Sequence, residues 1–216
     1  MLKLAVSSLT YEGYDNIKCE TLFRYAYEEG YRNVEFNCWH ADALTDERIL
    51  MLREGCERNG LRPAALHVAA FGGTTTEQIS WNTAHKLRAI DAAVLLGCRR
   101  VAASVSSDTK DPGIIIEELE QIAPYAQKRD VLICLENHCR NILAVSEDYL
   151  RIFDKIDTRI SEPAWTGAIW RLQEKRLMHS STGLGRRSIT CISKRTACSE
   201  RKAFVGSAAA EPIMPI

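Results

Sequence analysis

Five short apolar segments recur along the first 160 residues of the chain, and each is followed by a polar turn. The centres of these segments are 31 to 35 residues apart and lie near Leu4, Glu35, Leu66, Val101 and Ile133. That distance is the length of one β-strand plus one crossover helix. The run Val131 to Leu135 is uniformly apolar, which is typical of a strand buried on both faces. The pattern therefore predicts five consecutive βα units.

Helical segments are predicted between these strands at residues 18–29, 46–59 and 75–96, and after the last strand at residues 147–156. A glycine follows each of the first three, where a left-handed C-terminal cap is favoured. Thr74 and Glu77 have the spacing of a capping box, which predicts Thr74 as the capping residue of the third helix. Asp111 before Pro112 predicts the start of a further helix. Apolar residues at helical spacing would let these helices cover a sheet.

Parallel strands joined by crossovers form either a closed barrel or an open, doubly wound sheet. Residues 7–13, Ser-Ser-Leu-Thr-Tyr-Glu-Gly, lack the glycine-rich phosphate loop of a dinucleotide-binding sheet. We therefore favour a (β/α)8 barrel of which about five βα units are recognisable. In such a barrel the polar residues at the carboxyl ends of the strands meet at one mouth.

The chain changes character from about Ser161, because aspartate disappears and basic and hydroxyl residues dominate. We predict a partial barrel domain over residues 1–160 and an atypical tail over 161–216, in which no convincing sixth strand is found. The tail is an appendage, a disordered segment or the product of a shifted reading frame. Five strands of an eight-stranded barrel would leave two sheet edges unpaired, which predicts self-association or aggregation.

Charge and cysteine content limit the kinds of partner and environment. The 28 basic and 28 acidic residues cancel, which argues against binding to nucleic acid or an anionic membrane and favours a small-molecule ligand. The first residues do not resemble a secretory signal and no segment is long and apolar enough to span a membrane, so we expect a cytoplasmic protein. Eight cysteines include no Cys-x-x-Cys pair, which favours reduced thiols.

Glu136, directly after the fifth apolar run, is the strongest candidate for chemistry. A carboxylate at a strand end can bind a divalent cation and can move a proton at a neighbouring carbon. The alternative is a structural glutamate paired with an arginine.

Four other residues could face the same mouth. His67 could bind a substrate hydroxyl, ligate a metal, shuttle a proton or be a hydrogen-bonded structural histidine. Trp39 could stack on a sugar or fill space, and Asn37 could bind hydroxyls. His138 shares a face with Glu136 if the strand continues. His40, His85 and His179 have no such companions and are interpreted as surface residues.

With these residues, the first 160 or so positions resemble the xylose-isomerase-like TIM barrel superfamily, in particular its sugar phosphate isomerases and epimerases. Four segments carry the resemblance in order, namely residues 30–37 (Gly-Tyr-Arg-Asn-Val-Glu-Phe-Asn), 59–63 (Asn-Gly-Leu-Arg-Pro), 95–98 (Leu-Leu-Gly-Cys) and 133–138 (Ile-Cys-Leu-Glu-Asn-His). The last of these is the most specific.

The resemblance implies a site for a divalent metal such as Mn²⁺, Mg²⁺, Co²⁺ or Zn²⁺, in which Glu136 is both a ligand and the acid/base residue. The metal would stabilise an enediolate formed when a proton leaves the carbon beside a carbonyl. By the same resemblance, His67 lies near the substrate and Glu35 matches a frequent acidic position of the second strand. Asn37, Trp39 and His138 would complete the substrate contacts.

The chain departs from the family where the remaining metal ligands are expected. Family members take an Asp, a His or Gln and a second Glu from strands six to eight, and the tail contains no aspartate. The resemblance thus implies an impaired metal-dependent isomerase or epimerase with a weakly held metal. The alternative is a truncated, non-catalytic barrel that binds a sugar or polyol. Abasic-site endonucleases of the superfamily fit least, since the expected histidine after the fourth strand and a basic groove are missing.

Overall fold

The computed structural model describes residues 4–13, 18–136, 141–143, 146–153, 155–156, 161–166 and 191–193. Its strands are β1 (Leu4–Ser7), β2 (Asn33–Cys38), β3 (Arg62–Val68), β4 (Arg100–Ser104), β5 (Leu132–Glu136), β6 (Ser161–Thr166) and β7 (Cys191–Ser193). The α-helices are α1 (Leu9–Glu12), α2 (Glu20–Tyr25), α3 (Asp46–Arg58), α4 (Thr76–Leu96), α5 (Pro112–Lys128) and α6 (Ser146–Phe153), and a 3-10 helix covers Ala41–Leu44.

All neighbouring strands are parallel, and in the described part of the chain they close into a barrel in the order β1 to β7. The five predicted βα units are confirmed, and so is the barrel fold. Residues 161–166 pair with β5, and residues 191–193 pair with both β6 and β1. The expectation that no sixth strand follows residue 160 is therefore wrong, and the two edges predicted to be open are paired.

The sequence did not indicate β6 because Ser-Glu-Pro-Ala-Trp-Thr lacks an apolar run and carries a proline in its middle. Proline has no N–H to give to a strand ladder, so its presence argues against a strand inside a sheet. The prediction of self-association depended on open edges, and the closed sheet removes that reason for it. The predicted boundary at residue 160 stays a prediction.

The ends of two long helices show how local sequence sets the elements. Thr75 caps α4 by accepting a hydrogen bond from the Gln78 N–H at 3.3 Å, so the prediction of Thr74 as the capping residue is wrong by one position. Asp111 caps α5 as predicted, accepting from the Gly113 N–H at 2.8 Å. Gly97 ends α4 with φ of 87°, a conformation that costs glycine little.

The two faces of each strand have different surroundings because successive side chains alternate across a sheet. One face is apolar and packs against the helices, as shown by the Phe36 ring, which lies 6.1 Å from the Phe23 ring. The other face points into the barrel, where Ala102 and Cys134 form a small cluster separate from the main core. The main core is thus the layer between barrel and helices, and the barrel interior is a second environment.

The cysteines whose side chains the structure describes are buried and form no disulfide with one another. The interpretation of the eight cysteines as reduced thiols stays a prediction. None of the described helices has the length and hydropathy that a membrane crossing needs. Burial raises the pKa of Cys19, Cys56 and Cys98 to about 12, because the thiolate would lose its hydration.

We expect Cys19, Cys56 and Cys98 to resist alkylation by iodoacetamide at pH 8 in the folded protein and to react fully in guanidinium chloride. The reason is that the reactive thiolate is scarce and the sulfur is inaccessible. Mass spectrometry of tryptic peptides measures the labelled fraction of each residue separately. Rapid native labelling of Cys98, which is 3% exposed, would contradict this packing.

Candidate functional site

The barrel interior is polar toward the carboxyl ends of its strands. Near the carboxyl ends of β1 to β5, whose side chains the structure describes, the polar residues that face this interior are Ser7, Glu35, Asn37, His67, Ser104 and Glu136. The register places Asn37 beside His67 and Ser104 beside Glu136. Barrel interiors are usually filled by branched apolar side chains, and buried polar groups cost stability. This concentration of polar groups marks the mouth as the candidate site.

His67 and Glu136 are in direct contact. The His67 Nε2 atom lies 2.7 Å from the Glu136 Oε2 atom, and the two residues are 2% and 4% exposed. They come from β3 and β5, which lie on either side of β4. The structure therefore brings together the two residues that the sequence predicted as catalytic.

Trp39 fixes the tautomer of His67. The Trp39 Nε1 atom lies 2.7 Å from the His67 Nδ1 atom, and an indole nitrogen can only donate. The His67 Nδ1 atom must therefore accept, so the ring proton sits on Nε2 and is donated to the Glu136 carboxylate. Both nitrogens of the neutral imidazole are occupied. In this arrangement His67 holds one oxygen of Glu136 in place, and Trp39 holds His67.

We expect Trp39→Phe to release this tautomer while keeping an aromatic ring in place. The ¹⁵N chemical shifts of His67 should show the Nε2–H form alone in the unmodified protein and a mixture of both tautomers in the variant. Loss of one buried hydrogen bond should lower the free energy of unfolding by about 1–2 kcal/mol. Trp81→Phe is the matched control, and an Nδ1–H tautomer in the unmodified protein would contradict the assignment.

Asn37 also lies at the mouth. Its Nδ2 atom donates to Ser7 Oγ and to Ser8 Oγ, each at 3.1 Å. Its Oδ1 atom is buried and has no hydrogen-bond partner among the described residues. An acceptor in that position can take a hydrogen bond from a ligand hydroxyl, as predicted for Asn37 from the sequence.

Glu35 lies deeper than the other predicted residues. It is fully buried on the same face of β2 as Asn37, two residues earlier, and is level with Ser7 and Ala65. Asn37 and His67 form the layer above it. Glu35 therefore belongs to the layer beneath the contact of His67 with Glu136. His138, the remaining predicted substrate contact, lies outside the described residues.

Tyr149 was not singled out from the sequence, although it lies close to the site. It is 2% exposed on α6, and its hydroxyl donates to the Leu143 carbonyl at 3.2 Å. Burial is the main cause of the raised pKa of this phenol, and the charge of Glu136 adds to it. The hydroxyl therefore stays protonated. Nothing in the spacing of α6 could have indicated a neighbour of β5.

One prediction about histidines is wrong. His85 is buried at 5% exposure, and its Nε2 atom lies 2.8 Å from the Cys38 carbonyl, so it is not a surface residue. Burial lowers its pKa, which favours the neutral ring that donates this hydrogen bond. His40 is exposed as expected, and His179 lies outside the described residues.

The donors at the mouth can be compared with what a divalent cation needs. Within the described residues there is no group of three or more His, Cys, Asp or Glu side chains that could hold a metal. Catalytic zinc uses three protein ligands, whereas magnesium can be held by one or two carboxylates with water. Glu136 offers one carboxylate, and His67 has no free nitrogen. The described residues therefore do not complete a metal site.

Comparison with known proteins identifies the same barrel fold that the structure shows. A family model for the xylose isomerase-like TIM barrel matches residues 23–161, which is more than half of the chain. The solved structure of 3-keto-D-glucoside 4-epimerase from E. coli has a TM-score of 0.70 and 14% identity, over 89% of this chain and 78% of that one. D-psicose 3-epimerase in the presence of D-fructose also has a TM-score of 0.70, with 11% identity over 90% and 73% of the two chains.

A third similar structure is a xylose isomerase-like TIM barrel protein from Mycobacterium smegmatis in complex with magnesium. It has a TM-score of 0.62 and 18% identity, over 76% of this chain and 64% of that one. At these identities the three structures show a shared fold. A comparison with curated protein sequences found no significant match.

Proposed function

The chain belongs to the xylose isomerase-like TIM barrel family, and from this premise we propose that it is a sugar or sugar phosphate isomerase or epimerase. The observation that carries the proposal is the contact of 2.7 Å between His67 Nε2 and Glu136 Oε2 inside a polar barrel mouth. A buried carboxylate whose orientation is fixed by a hydrogen bond is a suitable base for a carbon acid. The similar structures of sugar epimerases support the same reaction class.

In the proposed reaction, Glu136 removes the proton from the hydroxyl-bearing carbon beside a sugar carbonyl and returns it to the former carbonyl carbon. The proton of that hydroxyl moves to the former carbonyl oxygen, so the carbonyl and the hydroxyl exchange places. The Glu136 carboxylate, which His67 contacts at Oε2, is the group that carries the proton. His67, itself held by Trp39, keeps the Glu136 carboxylate oriented. Asn37 Oδ1 accepts a hydrogen bond from a substrate hydroxyl. Productive orientation of base and substrate contributes a large part of the rate in such steps.

The number of bases favours isomerisation over epimerisation. A single base can move a proton between adjacent carbons on one face of an enediolate, whereas inversion at one carbon needs groups on both faces. Among the described residues, Glu136 is the carboxylate in contact with His67, and Glu35 is level with Ala65, two residues before His67. We therefore propose an aldose–ketose isomerisation as the reaction that this mouth serves best.

A divalent cation, when bound, would polarise the carbonyl and stabilise the enediolate, and Glu136 would be one of its ligands. Since the described donors do not complete a metal site, we propose weak binding and low turnover for this chain. Titration with Mn²⁺, Mg²⁺, Co²⁺ and Zn²⁺ by calorimetry should then show no saturation in the micromolar range. Micromolar binding lost in Glu136→Gln would show that other segments supply further ligands, and would overturn the proposal of weak binding.

The proposed function is tested by hydrogen exchange in heavy water. The full chain is incubated with D-fructose, D-xylulose or their phosphates in D₂O with Mn²⁺, and deuterium at the carbon beside the carbonyl is followed by NMR. We expect slow enzyme-dependent incorporation together with appearance of the corresponding aldose. A rate no faster than that of the buffer across the panel would overturn the isomerase assignment.

A non-catalytic sugar-binding protein is the second candidate. The observation that favours it is the lack of a second carboxylate beside Glu136 among the described residues. Saturation-transfer NMR with the same sugars distinguishes the two, because binding without any deuterium incorporation supports the second candidate. The location of the protein in the cytoplasm stays a prediction.

A further inference from the structure

We propose that a groove beside the barrel mouth binds a second, uncharged sugar ring of a glycoside substrate, stacked on Trp81. This groove, called the rim groove, lies between the start of α4 and the loop that follows β4. The inference rests on the proposed function, since it assigns a subsite to the same substrate. The ligand that we assign to the rim groove is a neutral, hydroxyl-rich ring.

The rim groove lies at the same end of the barrel as Glu136 and has a suitable size. Ala70 lines it two residues after the end of β3, and Ser106 lines it two residues after the end of β4. These are the carboxyl ends of the strands, where the candidate site also lies. The groove has a volume of about 550 Å³, which is within the range of small-molecule sites.

Trp81 provides a rigid aromatic surface in the rim groove. The residue is 46% exposed, an unusual exposure for so large an apolar side chain. One face of its ring stacks on the His85 ring at a centroid distance of 4.8 Å and an angle of 15°. His85 is itself fixed by its hydrogen bond to the Cys38 carbonyl. The indole is therefore held from behind, which lowers the entropy lost when a ligand ring packs against it.

The floor of the rim groove is fixed by a buried ion pair that the proposed reaction does not use. Lys86 and Glu118 are both fully buried, with 3.6 Å between Lys86 Nζ and Glu118 Oε1. Lys86 Nζ donates to the Ala70 carbonyl at 2.8 Å and to the Asn82 carbonyl at 3.2 Å. Glu118 accepts from the Gly72 N–H. All three backbone groups belong to residues that line the groove.

Such a buried pair contributes little net stability compared with apolar side chains of similar size. Its main effect here is to fix the positions of the backbone groups that line the rim groove. Gly73 is tied down as well, because its N–H donates to Thr109 Oγ1 at 2.9 Å. The loop between β3 and α4 is thus held at several backbone atoms. A preformed floor of this kind is what a small-molecule subsite needs.

The charge of the rim groove selects the class of ligand. Among the described residues that line it, none is basic, and the polar side chains belong to Glu77, Gln78, Asn82, Ser106 and Asp108. Carboxylates disfavour a phosphate group, whereas carboxylate and amide oxygens accept hydrogen bonds from hydroxyls. A neutral sugar ring has hydroxyls for these acceptors and an apolar face for Trp81.

Comparison of disaccharides with their component monosaccharides tests the proposal. The full chain is titrated by NMR with cellobiose, maltose and lactose, and with glucose and galactose. We expect at least one disaccharide to bind about fivefold to tenfold more tightly than its components, as expected for one aromatic contact. Trp81→Ala should remove this gain and Trp81→Phe should keep most of it. Tyr27→Ala, at an equally exposed aromatic residue outside the groove, should leave it unchanged.

The outcomes separate this proposal from the proposed function. Equal binding of disaccharides and monosaccharides, no binding of either, a gain that survives Trp81→Ala, or competition by inorganic phosphate would each overturn the rim groove. Deuterium exchange is measured in the same samples. A gain that depends on Trp81 without any exchange supports the groove and overturns only the isomerase assignment.

Discussion

Replacement of Glu136 by glutamine should reduce the rate of deuterium incorporation about 100-fold to 10,000-fold, the usual contribution of a general acid or base. Glutamine has nearly the same shape and keeps an oxygen that can accept from His67 Nε2–H, so the fold should be preserved. The amide cannot take up the substrate proton. The measurement is the NMR exchange assay on equal amounts of folded protein.

The matched control is Glu117→Gln, the same chemical change at an exposed position of α5. It should leave the exchange rate and the melting temperature unchanged. Equal exchange rates in the Glu136→Gln variant and the unmodified protein would exclude Glu136 as the base. The melting temperature of each variant shows whether a lost rate reflects lost structure.

Removal of one partner of the buried ion pair should give the largest loss of stability among the described residues. In Glu118→Ala, the Lys86 ammonium stays fully buried beside the Phe71 ring without its carboxylate. Breaking such a pair costs about 3–5 kcal/mol, because an uncompensated charge remains in the core. Denaturant unfolding followed by circular dichroism measures this loss.

The double variant Lys86→Met, Glu118→Leu is the control, since it replaces both charges by apolar side chains of similar size. Its stability should lie close to that of the unmodified protein, well above that of Glu118→Ala. A double variant as unstable as Glu118→Ala would show that the lost hydrogen bonds to the Ala70, Asn82 and Gly72 backbone groups, and not the unpaired charge, cause the loss. The double variant should also weaken disaccharide binding in the rim groove, because the backbone groups there lose their partners.

The same ion pair gives an expected dependence of stability on pH. Burial lowers the pKa of Lys86 to about 8, and the attraction of Glu118 offsets only part of this effect. An unfolded lysine has a pKa near 10.4, so between about pH 8 and 10.4 the unfolded chain binds more protons than the folded chain. The stability of the unmodified protein relative to Lys86→Met should therefore rise with pH in this window. A relative stability that falls there would contradict the lowered pKa.

Much of the fold could be predicted from the sequence because the βα units repeat regularly. A uniform apolar run marks β5, and glycine marks the end of α4. The start of α4 was misplaced by one residue because Thr74 and Thr75 each precede a suitable partner by three positions. The strand β6 was missed because Pro163 interrupts it, and pairing with β5 decides its conformation.

The candidate site could be predicted only as a set of strand ends. The sequence placed His67 and Glu136 at one mouth, and their contact agrees with that prediction. The hydrogen bond from Trp39 to His67 could not be foreseen, because the register of β2 and β3 shifts at residues 34 and 35. That shift determines which residues of β2 and β3 are paired, including Asn37 with His67. His85 was misjudged because its burial depends on packing against β2.

The pairing of β7 with β1 places Leu4 beside Cys191, and these two strands are the first and the last that the structure describes. During synthesis, β1 can pair with β2 early, but it can pair with β7 only after residues 191–193 have left the ribosome. Contacts so distant in sequence form slowly and leave nascent chains exposed to misfolding. Chaperone dependence should therefore be greatest for this chain late in translation.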